Sequence, residues 1–289
     1  MDAQAAKKAP MSNQDFLAKI RDDLKYNRLS LPTLPEVAMK VRKVVENPNA
    51  SVSQMAKVIN ADPALSARLL RVANSPLHRA RSPIESVQTA VARLGVKLVR
   101  NLVSALVMEQ LYNSGSNKRI NEELSRLWTH SVSVAALSNV MARKFTSLSA
   151  DEAMLAGLLH DIGKLPILVC AEDQPGLLDN PKALDSLLDD IHCEVGLAIL
   201  ESWEFSPEIT ECIYEHEQLD RDKSPDTDLC DIVMLANLHS HIGTGHKHTK
   251  VNWNSIPAFK KLGLEPDESV RVMAEARDEV REIEKVLTS

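Results

Sequence analysis

Aromatic side chains are nearly missing from this chain. Trp, Tyr and Phe together make 3% of 289 residues, so any core must be mostly aliphatic. Glycine is scarce, at nine residues. β-Branched runs bounded by turn residues are hard to find, which argues against a sheet protein. The four cysteines (Cys170, Cys193, Cys212, Cys230) have no CxxC spacing. That disfavours a zinc ribbon or a disulfide frame and suits small buried apolar side chains in a reducing compartment. The opening MDAQAAKKAPMSNQ has no apolar core of a leader, and no run reads as long and apolar enough for a membrane span. The expected setting is the cytoplasm. An excess of positive charge is also lacking: the net charge of −6 argues against wholesale nucleic-acid binding.

Short amphipathic helical periods fill the space. Residues 1–12 are small and polar and are expected to be disordered. Ser51 or Ser53 can cap a helix through Ile59, and Asp62-Pro63 caps the next. Ser82-Pro83-Ile84-Glu85 has capping-box spacing before SVQTAVARL, which ends at Leu94-Gly95; Val96 to Leu111 is the next helix. The polar NSGSNK, 113–118, is the expected boundary. Beyond it, helices are expected over about 120–144, 151–162, 181–203, 207–217 and 227–242. A loop follows over 244–256, then one charged helix over 267–287 that packs on the surface or on a partner chain. The fold class is all-α: two packed helical bundles. The units are an N-terminal module over 13–112, a second over 119–243, and the loop and helix over 244–289.

Charge is uneven along this pattern. Between residues 64 and 101, Arg68, Arg71, Arg79, Arg81, Arg93, Lys97 and Arg100 face a single acid, Glu85. The window is net +6 and the remainder −12. It can be a face for an anionic ligand or acidic partner, or a set of solvated helix faces and internal ion pairs.

Histidines fall on apolar stripes. Leu127, His130, Val134, Leu137 and Met141 recur at three- and four-residue steps, as do Leu188, His192, Val195 and Ile199. Ile209, Cys212, Ile213 and His216 share one face; Val233, Asn237 and His241 share another. In AGLLHDIGKL, His160-Asp161 ends an apolar helix, with Gly163 as the expected C-cap. One such histidine is an ordinary core residue. Several converging with an aspartate resemble a metal site collected across a bundle. Lys164 can pair with a phosphate or an acidic neighbour, and would act in catalysis only if the site turns over. The weak point is Asn237, a neutral residue where a second carboxylate is wanted. Asp231, six residues earlier, falls on another face and reads as solvated. Glu215 stands where a further histidine would strengthen a binuclear site. The stretch HSHIGTGHKH reads as a helix end and an exposed loop (His239, His241, His246, His248) with adventitious metal affinity.

His130, the His160-Asp161 doublet and the position of Asn237 resemble the HD superfamily of metal-dependent phosphohydrolases. Asn237 replaces the last aspartate of that pattern. His192 and His216 are similar to the extra histidines of the HD-GYP branch, which cleaves cyclic dinucleotides. QLDRDKSPDTDL occupies the place of the GYP loop, so that motif is missing. LPTLPEVAMKV, INADPALSARLLRVANSP and PIESVQTAVARLGVKLVRNLV are very similar to the HDOD family. The resemblance covers about residues 17–242. It implies a bacterial, all-helical signalling or regulatory module with an HD-like second half. Its pocket would be degenerate and non-catalytic, with other signalling proteins as partners. A divalent metal (Fe, Mn, Ni, Zn or Mg) would bind weakly or not at all through His130, His160, Asp161, His192, His216 and Asn237. The alternative is a divalent-metal phosphohydrolase acting on a nucleotide or cyclic dinucleotide. A third reading is a nucleic-acid-binding regulator using the basic N-terminal module.

Overall fold

The computed structural model describes residues 11–47, 51–78, 82–113, 118–172 and 174–288. Among these there is no strand. The N-terminal helices are α1 (Asn13–Lys25), α2 (Glu36–Glu46), α3 (Val52–Asn60), α4 (Pro63–Ala73), α5 (Val87–Leu94) and α6 (Val96–Met108). The long α7 (Lys118–Phe145) precedes α8 (Ala150–Leu159), α9 (Lys164–Ala171), the single turn α10 (Pro175–Leu178), α11 (Pro181–Ser202), α12 (Pro207–Glu215) and α13 (Leu229–Ser240). Three short helices close the chain: α14 (Pro257–Lys261), α15 (Pro266–Glu275) and α16 (Arg277–Thr288).

Local chemistry sets the helix starts. Ser51 and Gln54 form a reciprocal capping box, and Asp62 accepts from Leu65 N ahead of a first-turn proline. Ser12 caps α1, so order begins inside the segment expected to be disordered; residues 1–10 lie outside the described residues. The start expected at Ser82 is displaced to Ser86, whose hydroxyl accepts from Thr89 N. The cause is tertiary. The Asn74 amide donates to Ile84 O and accepts from Ile84 N, holding 84 buried and outside the helix. The 96–111 helix ends at Met108 and tightens into a 3₁₀ turn over Glu109–Asn113. The single helix expected over 267–287 is two, broken at Ala276.

α7 is the spine, packed against α8, α13 and α16. One apolar core runs from Phe16 and Ile20 through Leu102 and Leu106 to Met141 and Ile199; Ala73, Ile84 and Ala90 form a small satellite. Residues on both sides of 113–118 contribute to it, while 114–117 lie outside the described residues. α1 lies against α11, and the Trp203 indole donates to Pro32 O at 3.0 Å. α16 buries Val280, Ile283 and Leu287 against its own chain. By length and composition Ala150–Ala171 matches a membrane span, contrary to expectation. Here it is two helices joined by a polar turn, and 83% of its apolar window is buried within the bundle.

Candidate metal centre

The α8–α9 turn carries His160, Asp161 and Gly163. Gly163 is right-handed (φ −64°, ψ −22°) and starts α9, so it is not the expected left-handed C-cap. It is needed for space: a Cβ there would lie 1.9 Å from His192 O. That close approach sets α11 directly on the turn and delivers His192 to Asp161.

The stripe reading of the histidines holds. His160, His192 and His216 are fully buried, and His130 is mostly buried on α7. Their Nε2 atoms surround one carboxylate. His130 and His160 lie 3.6 and 3.4 Å from Asp161 Oδ2. His192 and His216 lie 3.3 and 3.6 Å from Asp161 Oδ1. The Nε2 atoms of His130 and His160 are 3.2 Å apart, and those of His192 and His216 are 3.4 Å apart.

The other ring nitrogens explain the orientation. Nδ1–H of His160 donates to Gly157 O, that of His192 to Leu188 O, and that of His216 to Ile213 O, at 2.7, 2.8 and 2.9 Å. A neutral ring so tied leaves Nε2 as a bare acceptor. Burial, reinforced by Lys164, pushes His192 down to about 4; burial and neighbouring His160 hold His130 well below its usual value. Burial works to raise the Asp161 carboxyl, but the neighbouring His160 imidazole and the Lys164 ammonium overcome it and hold it well below the carboxylate range. Lys164 Nζ lies 2.6 Å from Asp161 Oδ2. Burial opposes its charge, but Asp161 wins and raises it.

Acceptors facing acceptors repel unless a cation lies among them. Asp161 Oδ1 and Asn237 Oδ1 are both buried without a hydrogen-bond donor. Two orphaned oxygens beside ordered imidazoles fit a divalent ion of borderline character. His130, His160 and Asp161 form one ligand group; His192, Cys193 and His216 form another beside it. Asn237 lines the same cavity of about 190 Å³ as His130, Asp161 and Lys164.

Other candidates separate. Arg68 is internal: it donates to Leu106 O and Leu287 O, at the C-terminal ends of α6 and α16, and pairs with Glu109. Arg100 is half-buried beside Asn101, while Arg71, Arg93 and Lys97 are exposed. Arg79 and Arg81 lie outside the described residues. Asp231 is fully buried, not solvated; Arg221 and Lys261 reach it, and its side chain completes a capping box with Asp228. Glu215 belongs to the same network, 2.7 Å from Arg221. HSHIGTGHKH is a helix end and a largely exposed loop as expected, except that His248 is buried, as is His239 in the helix. His239 Nδ1–H donates to Leu235 O, and its Nε2 lies 2.8 Å from Ser269 Oγ. Sequence reasoning passed over Glu217, which follows His216 and lines the cavity. It lies 3.1 Å from His248 Nε2 and 3.4 Å from Lys247 Nζ. Its adjacency to His216 was the available signal.

A family model of the HDOD domain matches residues 31–219. The chain belongs to the HDOD family. A structure of a candidate metal-dependent phosphohydrolase from Shewanella amazonensis SB2B is 30% identical; the match covers 96% of this chain and 100% of that one, with a TM-score of 0.80. An HDOD domain protein of unknown function from Geobacter sulfurreducens shares the fold at 24% identity, covering 96% and 98% of the two chains, with a TM-score of 0.69. Among curated sequences, an uncharacterised Treponema pallidum protein is 24% identical over 225 residues, covering 72% of this chain and 42% of that protein. Ribonuclease Y of Mycoplasma mycoides is 28% identical over 157 residues, covering 50% and 26%. This HDOD chain spans less than half the length of those curated relatives. The all-α HDOD fold read from DPALSARLLRVANS and its neighbours is thus shown.

Proposed function

We propose that this HDOD chain is a regulatory signalling module whose central pocket binds a divalent metal and small phosphate-bearing ligands without efficient turnover. The observation that carries the reading is Asn237, a neutral oxygen donor in the wall of a cavity otherwise built like a metal site. Asp161 is the carboxylate amid the imidazoles, and Lys164 offsets its charge. A second dication would find only carboxylates that are already paired, Glu123 and Glu217. His130, His160 and Asp161 with Asn237 would hold one ion, and His192 and His216 crowd the far carboxylate oxygen.

The cavity at the imidazoles is about 190 Å³, room for a small phosphate group, and it adjoins a groove of about 580 Å³ along Lys164, Leu188, His241 and His246. One further feature favours binding over catalysis. The cavity's other carboxylates are engaged: Glu123 with Arg126, and Glu217 with His248 and Lys247. Burial works to raise Glu217, but its bond to His248 and neighbouring positive charge win and hold it far below its usual range, which makes it a poor proton acceptor. Other signalling proteins are the partner class in this reading.

The second reading is metal-dependent phosphohydrolysis, favoured by the exposed edge of His130 and by Lys164 at the cavity wall. A divalent metal supplies Lewis-acid polarisation of a phosphoryl oxygen when bound. Lys164 and Arg126 would neutralise phosphate charge at the mouth. The experiment is metal analysis of untagged protein with phosphodiester and phosphomonoester turnover assays. The proposal expects retained metal, and background turnover unchanged by His160→Ala. Turnover above background that His160→Ala abolishes, with the fold intact, would establish the second reading instead.

A further inference from the structure

A second histidine cluster lies at the cavity rim. α13 ends at Ser240 with His241 as its C-cap, and a turn through Gly243 (φ +80°) leads to His246, the cap of a 3₁₀ turn over Lys247–Lys250. The His241 and His246 rings stack with centroids 3.7 Å apart and planes 13° apart. His248 meets them edge-on, its centroid 4.6 Å from His246 and 5.6 Å from His241. One ligand nitrogen from each of the three falls within 4.8 Å of the others.

The decisive detail is His248. It is 4% exposed, and its Nε2 faces Glu217 Oε2 at 3.1 Å. That bond commits the Nε2 proton to the carboxylate and leaves Nδ1 as the lone-pair atom. Nδ1 is buried and has no hydrogen-bond partner. A carboxylate behind a histidine, with the opposite nitrogen free, is the arrangement that orients an imidazole onto a metal. The loop is fixed from behind as well: the Trp253 indole donates to His248 O at 3.1 Å and stacks on Phe259.

We propose that His241, His246 and His248 form a second metal site, with Glu217 supporting His248 from behind. Three imidazoles and no directly placed carboxylate suit Zn²⁺, Ni²⁺, Co²⁺ or Cu²⁺, and disfavour Mg²⁺ and Ca²⁺. His241 also stacks on His130, with centroids 5.0 Å apart, so the rim site abuts the central one without sharing a ligand. Ligation ties the end of α13 to the 247–250 turn at the mouth of the cavity.

The test uses this whole chain, untagged and with Asp161→Asn, which lacks the central carboxylate, titrated with Co²⁺ and Zn²⁺ by calorimetry and visible absorption. It is expected to bind one equivalent of Co²⁺ with a ligand-field band, and Zn²⁺ in competition. Adding His246→Asn, at a half-buried position, should weaken Co²⁺ binding by at least about tenfold and remove the band, with the helical circular dichroism unchanged. If that substitution leaves affinity and band unaltered, or if Co²⁺ binds only above about 1 mM, the rim site is overturned. The imidazoles and Cys193 left in the central pocket are the same with and without His246→Asn, so the difference that substitution makes reports on the rim alone.

Discussion

Gly163→Ala tests how the fold makes the metal centre. The added Cβ would lie 1.9 Å from His192 O and 2.5 Å from Gly196 N. Both are backbone atoms of α11, so no rotamer change relieves the contact. Real Cβ contacts stay beyond 3.0 Å, so the carbonyl must retreat by about 1.1 Å. Overpacking of this kind costs about 1–3 kcal/mol, and the upper end applies to a rigid helix. The helix-propensity gain of alanine offsets up to about 1 kcal/mol. The net loss is about 2 kcal/mol, or a Tm lower by roughly 4–8 °C. His192 moves with its carbonyl, away from the 3.3 Å contact with Asp161. Metal sites tolerate about 0.2 Å, so metal retention should fall as well. Thermal unfolding and metal content of Gly163→Ala are compared with Gly245→Ala, where nothing lies within 4 Å of the new Cβ. A Gly163→Ala protein with wild-type Tm and metal content would refute the argument.

The remaining predictions concern the buried polar groups. Arg221→Met should destabilise by about 3–5 kcal/mol in urea unfolding, because it strands Asp231 and Glu215. Ser269→Ala should cost about 1 kcal/mol by the same assay, from the lost bond to His239. Metal-free protein should lose stability as pH falls from about 6.5 to 4. Burial depresses the folded-state values of His192 and His239 to about 4, so the unfolded chain takes up protons first, and stability present above the unfolded value is lost on the way down. Unfolding midpoints across that range check the sign; a flat or rising profile contradicts it.

Much of the fold and the centre was legible in the sequence, for a local reason. Three- and four-residue periodicity placed His130, His192 and His216 on core faces, and those faces converge on Asp161. Asp62-Pro63 is a cap that depends on no distant residue. What was illegible depends on partners far along the chain. Ser82 lost the helix start to Ser86 because Asn74, ten residues before Ile84, pins that segment outside the helix. Asp231 read as solvated because its compensating cations, Arg221 and Lys261, lie ten and thirty residues away in sequence. His248 read as part of an exposed loop, since nothing local announces Glu217 and Trp253 behind it. For Arg68 a ligand face, a solvated face and an internal ion pair were all open; it pairs with Glu109 and caps carbonyls of α6 and α16, partners distant in sequence.

The most direct test of the central claim is the metal content of untagged protein carrying His246→Ala and His248→Ala, with and without Asp161→Asn. Removing the rim ligands isolates the carboxylate that four imidazoles surround. The account predicts one equivalent of divalent metal with Asp161 present, and none when Asp161→Asn is added to a protein that stays folded. Equal metal content in the two proteins, or none in either after supplementation, would contradict it.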